Sequence, residues 1–173
     1  MQSVAVRRWL LSAALIGMVT SFAVTSALAA EEPEPFIEAK VGALPIILSA
    51  PHGGKRELPG VAPRQGEGLA KVPGGFVVAR DGGTEELARE VAAEIQRRYA
   101  KPPFVVINQP HRKFFDPNRP PKEAYESERA KLEYDNYHTA LAAACRSTQQ
   151  TFKRGLLLDL HGAMTLDDGG DGE

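Results

Sequence analysis

Leu44-Pro45-Ile46-Ile47-Leu48-Ser49-Ala50-Pro51-His52-Gly53-Gly54 is the stretch that decides the fold class. A short apolar run closed by a proline and a glycine pair reads as a buried strand ending in a loop. Pro45 sits near its start, where a missing ladder donor is tolerated. Two similar runs follow, Phe104-Val105-Val106-Ile107-Asn108 and Gly155-Leu156-Leu157-Leu158-Asp159-Leu160-His161. Helical patterns separate the three. Thr84 offers an N-cap, Glu85 and Glu86 fall in the first turn, and Arg97-Arg98 suit the carboxyl end. Leu87, Val91, Ile95 and Tyr99 recur on one face of that helix. Pro121 starts a long second helix through Tyr125, Leu132, Tyr137 and Leu141, ending before Lys153. Apolar strands alternating with helices predict an α/β domain, with a largely parallel or mixed sheet and helices on both faces.

Working outward, Lys55 to Gly83 is rich in Gly, Pro and charge and has no sustained period, so it reads as a long loop of the kind that carries function. At the amino end, Arg7-Arg8, the apolar stretch Trp9 to Ala23 and Ala27-Leu28-Ala29 form the pattern of a signal peptide over residues 1–29. Export to the periplasm or medium follows as an expectation. Val6-Arg7-Arg8-Trp9 also loosely resembles a twin-arginine signal, and the apolar stretch is nearly long enough to remain as a membrane anchor. Residues 30–43 read as a leader or linker and 44–173 as the domain. The acidic, Gly-rich tail from Leu166 to Glu173 supplies nothing to cover the third strand, so the domain is expected to be incomplete at its carboxyl end.

The 173 residues carry a formal net charge of −1, which leaves no global basic field for nucleic acid or an acidic membrane surface. The one cysteine, Cys145, excludes an intramolecular disulfide, so stabilisation falls to core packing or a bound metal. Within Ala142-Ala143-Ala144-Cys145 it reads as a small buried hydrophobe.

Each strand run delivers polar residues at its end: His52-Gly53-Gly54, then Asn108 onward to the Arg112–Arg119 segment, then Asp159-Leu160-His161-Gly162. Ligand sites of open α/β sheets lie outside the carboxyl ends of the strands, so the three should meet in one crevice. Imidazoles are common metal ligands, and glycines beside them allow close approach. Two satisfied histidines would leave the same trace, and spacing alone goes no further. Arg112, Asn118 and Arg119 carry donors matched to carboxylates, and Asp116 can orient an arginine. A solvated loop whose charges pair among themselves is the other reading.

Pro51-His52-Gly53-Gly54, Asp81-x-x-Thr84-x-x-Leu87, His111-Arg112 to Asp116-Pro117-Asn118-Arg119 and Leu158-Asp159-Leu160-His161 occur in the order found in N-formylglutamate amidohydrolases. The chain resembles that family over roughly residues 44 to 165, most specifically in Arg-x-x-x-Asp-Pro-Asn-Arg at 112 to 119. The resemblance implies a fold like that of zinc carboxypeptidases and aspartoacylase-type deacylases. It implies Zn²⁺ or another divalent metal on His52, His161 and Asp81, with Glu57 and Asp159 as alternatives to Asp81. Arg112, Asn118 and Arg119 would grip a substrate carboxylate or the polarised carbonyl, and Asp116 would hold their loop. The implied activity is hydrolysis of amides in N-acyl amino acids or similar small carboxylate-bearing amides, by metal-activated water. The base Glu expected far toward the carboxyl end has no counterpart other than the terminal Glu173. The Asp-Leu-His-Gly-Ala-Met segment at 159 to 164 also resembles microcystinase-like metallopeptidases, in which Asp159 would be a ligand. A non-catalytic small-ligand binding protein is the reading from a different class.

Overall fold

The structure, a computed structural model, describes residues 34–70 and 76–162. The signal-peptide pattern, the tail beyond Gly162 and Glu173 lie outside them. Four strands and three helices follow one another: β1 (Ile37–Lys40), β2 (Ile46–Ala50), α1 (Thr84–Tyr99), β3 (Phe104–Asn108), α2 (Pro121–Ala124), α3 (Glu128–Phe152) and β4 (Leu156–Asp159). They build a mixed α/β fold on one sheet of order β1-β3-β2-β4. The three strands predicted from the sequence are parallel, and β1 runs antiparallel at one edge against β3.

Side-chain alternation along β3 splits the interior into two layers. Phe104 and Val106 point into a cluster with Ala130, Tyr134, Tyr137 and Ala144 of α3. Val105 and Ile107 point the other way, onto Ala88 and Ala92 of α1. The helices therefore cover both faces, and β3, buried along its whole length, is the centre of the fold.

Several expectations are corrected. The leader assigned to residues 30–43 contains β1, which joins the sheet because Ile37 is buried and Glu38 pairs with Arg89 of α1. The compact unit accordingly begins at Glu34. The N-cap of α1 is Gly83, in a left-handed conformation, and Thr84 is the first helical residue with its hydroxyl donating to Asp81 O at 2.9 Å. The face buried by α1 is Thr84, Glu85 and Ala88, whereas Leu87 is 45% and Tyr99 62% exposed. Small residues bring the helix close to the sheet, and the larger stripe is rotated away from it.

The helix expected from Pro121 is two helices. Tyr125 is extended, and Ser127 caps a fresh start by accepting from Ala130 N at 3.2 Å. Cys145 is exposed rather than buried, since Ala144 takes the inward position on α3. The third strand run is also not buried: Leu156, Leu157 and Leu158 are 53%, 44% and 38% exposed. Among the described residues β4 pairs only with β2 and forms the sheet's other edge, whereas α1 lies over β2 and β3 and α3 over β1, β2 and β3.

The loop after β2 is pinned to the end of β3. Asn108, fully buried, donates from Nδ2 to Pro51 O at 2.8 Å, and a bridge joins Arg56 to Pro110. A Cβ at Gly54 would lie 2.2 Å from Gln109 O and 2.5 Å from Asn108 O, both backbone atoms that cannot step aside. At Gly82 a Cβ would meet nothing within 4 Å. Gly54→Ala should therefore lower unfolding free energy by about 2 kcal/mol or more, and Gly82→Ala by less than about 0.5 kcal/mol. Urea denaturation followed by circular dichroism distinguishes them; equal effects would contradict the close approach at Gly54.

Candidate metal centre

Because β2, β3 and β4 are parallel, their carboxyl ends lie together, and each leads into one part of the centre. His52 follows β2 by two residues and is 2% exposed. Asp81, just before α1, donates from its backbone N to His52 O at 3.0 Å, which fixes the two segments against each other. His161 follows β4 by two residues and is more open, with its side chain 34% exposed. Its ring centroid lies 5.0 Å from that of His52.

Asp81 sits between the rings. Its Oδ2 is 3.4 Å from His52 Nδ1 and 3.1 Å from His161 Nδ1, and it accepts from Gly162 N at 3.1 Å. Gly162 eases this approach, since a Cβ there would come within 3.2 Å of Asp81 Cβ and push the two apart by a few tenths of an ångström. One donor atom from each of His52, Asp81 and His161 lies within 4.8 Å of the other two, a group that can hold a metal ion. The buried Nδ1 of His52 has no hydrogen-bond partner among the described residues, and it faces Asp81 in this group. An orphaned ring nitrogen beside a carboxylate fits a cation, which would supply the missing partner.

The other ring nitrogens are also accounted for. His52 Nε2 is 2.6 Å from Asp116 Oδ1, and His161 Nε2 is 2.9 Å from Asp159 Oδ2. Metal-binding histidines characteristically use their second nitrogen on a carboxylate or carbonyl in this way.

The Arg112–Arg119 segment wraps around Asp116. Arg112 donates from Nε and a terminal nitrogen to Asp116 Oδ2 at 2.9 and 2.7 Å, and Asn118 N donates to Oδ1 at 3.0 Å. Asp116 thus ties Arg112 and Asn118 together and also holds His52, which the sequence did not reveal. Arg112 is buried and committed to Asp116, with its remaining terminal nitrogen 3.6 Å from Asp81 Oδ1, so it is a clamp rather than a free substrate contact. Arg119, 30% exposed in its side chain, is the more accessible guanidinium. Asn118 Nδ2 is 3.4 Å from His161 Nε2.

The alternatives to Asp81 do not enter the group. Glu57 pairs with Lys113 at 2.6 Å with its side chain 69% exposed, and it is not part of the group. Asp159 meets His161 on the ring nitrogen opposite Asp81. Ser49, beside Asp159 in the β2–β4 register, donates to Asp159 Oδ1 and was missed; a lone hydroxyl inside an apolar strand was the available signal.

Comparison with protein-family models, curated proteins and solved structures returns no match. The reading of this centre therefore rests on its own geometry and on the motif order.

Burial opposes ionisation of Asp116, but the His52 hydrogen bond and the charges of His52 and Arg112 outweigh it and hold the carboxyl well below its usual range. Asp81 is held low as well: burial raises it, but the Gly162 backbone donor, the neighbouring His161 ring and the charges of His52 and Arg112 outweigh that. Folded values below unfolded ones mean stability that is present above the unfolded carboxyl range, about pH 4, and lost as pH falls through the folded values. Asp116→Asn should cost about 3 kcal/mol at pH 7. It should also flatten the loss of stability below about pH 4. Urea titrations at pH 7 and in acid check both; an unchanged acid slope would place the linkage elsewhere.

Proposed function

We propose that this chain is a metal-dependent hydrolase of amide bonds in N-acyl amino acids or similar small carboxylate-bearing amides. The observation that carries the proposal is the paired arrangement of His52 and His161. Each turns Nδ1 toward Asp81 and rests Nε2 on a separate carboxylate. The ordered resemblance to N-formylglutamate amidohydrolases supports the choice of amide hydrolysis over other metal chemistry.

His52, Asp81 and His161 would hold a single divalent cation, with zinc favoured by two imidazoles and one carboxylate. Bound there, the cation supplies Lewis acidity that polarises an amide carbonyl and makes water more acidic. The chain's own residues divide the remaining work. Asp116 and Asp159 fix the two rings, and Arg112 fixes Asp116. Arg119, beside this cluster and partly exposed, is the group for a substrate carboxylate or for the negative charge that develops on the attacked carbonyl. The predicted signal peptide would place this activity outside the cytoplasm.

Elemental analysis of chain loaded with zinc and desalted should find about one equivalent, lost in both His52→Ala and His161→Ala. Stoichiometric metal in those variants would reject the site. On a panel of N-acyl amino acids and matched neutral amides, Arg119→Ala should raise KM or lower kcat for the carboxylate-bearing members by about tenfold or more. Equal losses on both sets would remove Arg119 from substrate recognition. Stoichiometric metal without turnover of any amide would favour the binding protein.

A further inference from the structure

Asp159 lies beyond the three atoms that can hold the cation, yet it ends a connected line of polar groups that starts in the core. The line starts in the centre of the sheet, at a hydroxyl inside an otherwise apolar strand. Ser49, fully buried in β2, donates to Asp159 Oδ1. Asp159 Oδ2 then meets His161 Nε2 at 2.9 Å. Period two along β4 puts Asp159 and His161 on the same side of the strand, and the register places Ser49 directly beside Asp159.

We infer that Asp159, braced by Ser49, is a positioning residue that keeps the proton of His161 on Nε2 and leaves Nδ1 free to bind a cation. The inference rests on the metal-centre reading and deepens it. Two groups compete for Nε2. An Asn118 amide donor at 3.4 Å would require Nε2 to accept and would move the proton to Nδ1, the wrong atom. The carboxylate at 2.9 Å requires Nε2 to donate. A charge-assisted bond at that length outweighs a neutral one at the limit of hydrogen-bond range, so Asp159 decides the tautomer.

The brace matters because the Asp159 side chain is 38% exposed and unbraced would be free to turn into water. The carboxylate has one oxygen for Ser49 and one for His161, so its orientation is fixed from the buried side. His52 needs no such line to the core, since it is itself buried and its partner Asp116 is clamped by Arg112. His161 is the exposed half of the pair, and the relay supplies the rigidity that burial gives His52.

Two readouts test this, and neither uses turnover. Long-range nitrogen–proton NMR of metal-free chain at about pH 8.5, above the ordinary histidine range, should show His161 Nε2 protonated. In Asp159→Asn that nitrogen should lose its proton in part or entirely. Zinc affinity, measured by competition with a chromogenic chelator, should fall about 10–100-fold in Asp159→Asn, with a smaller loss in Ser49→Ala. A folded Asp159→Asn with unchanged Nε2 protonation and unchanged affinity would overturn the inference and leave the metal centre standing. A wild-type chain that binds no zinc would reject the metal centre, while the NMR comparison would still decide the role of Asp159. If Asp159→Asn does not fold, an unprotonated Nε2 in wild-type chain or unchanged zinc affinity in Ser49→Ala would overturn it.

Discussion

One buried anion organises the centre. Asp116, 1% exposed, would be costly to fold if its charge were left alone, because a desolvated carboxylate without partners loses several kcal/mol. It is instead enclosed by two donors from Arg112, the backbone of Asn118 and the His52 ring. These partners come from two distant stretches of chain, and satisfying the carboxylate brings them together. The backbone of Asp116 is held too, with its N donating to Ala124 O at 2.9 Å, and Phe114 and Phe115 are buried alongside. Apolar anchoring and charge satisfaction thus act on the same turn, and His52 inherits its orientation from both.

The sheet supplies the other constraint. Three parallel strands bring their carboxyl ends to one edge of the sheet, so residues far apart in sequence already lie near one another there. Register then sets the detail. Ser49 lies beside Asp159, and Ser49 O accepts from Leu160 N at 2.8 Å, continuing the ladder one residue past β4 and carrying His161 to its place. Gly53 completes the fit on the far side, where a Cβ would lie 2.5 Å from both Glu85 N and Thr84 Oγ1.

Much of this was legible in the chain. The runs at 46–50 and 104–108 combine branched and apolar residues with Pro and Gly boundaries, and both are buried strands. His52, Asp81 and His161 were named from strand ends and motif order, and they do converge. What escaped the reading has physical causes. β1 is four residues long and pairs with a strand nearly seventy residues away, so no local period announces it. Leu156 to Leu158 look like a buried strand because composition reports apolarity, whereas burial depends on what packs beyond the edge. Leu87 and Tyr99 mislead for a related reason: α1 approaches the sheet through alanines, and small side chains leave a weak trace in an apolar pattern. Arg112 looked like a substrate contact because its forked donors suit any carboxylate, and only geometry shows that the carboxylate is Asp116.

The tautomers carry the argument for a cation one step further. A carboxylate accepts hydrogen bonds, so Asp116 and Asp159 each call for a proton on the Nε2 they face. A neutral imidazole has one N–H, and both rings then present bare Nδ1 lone pairs to the Oδ2 of Asp81, itself an acceptor. Three acceptors converge, and the backbone donor nearest them, Gly162 N, serves only the oxygen. A divalent cation is a species whose charge and coordination can answer three convergent lone pairs at once.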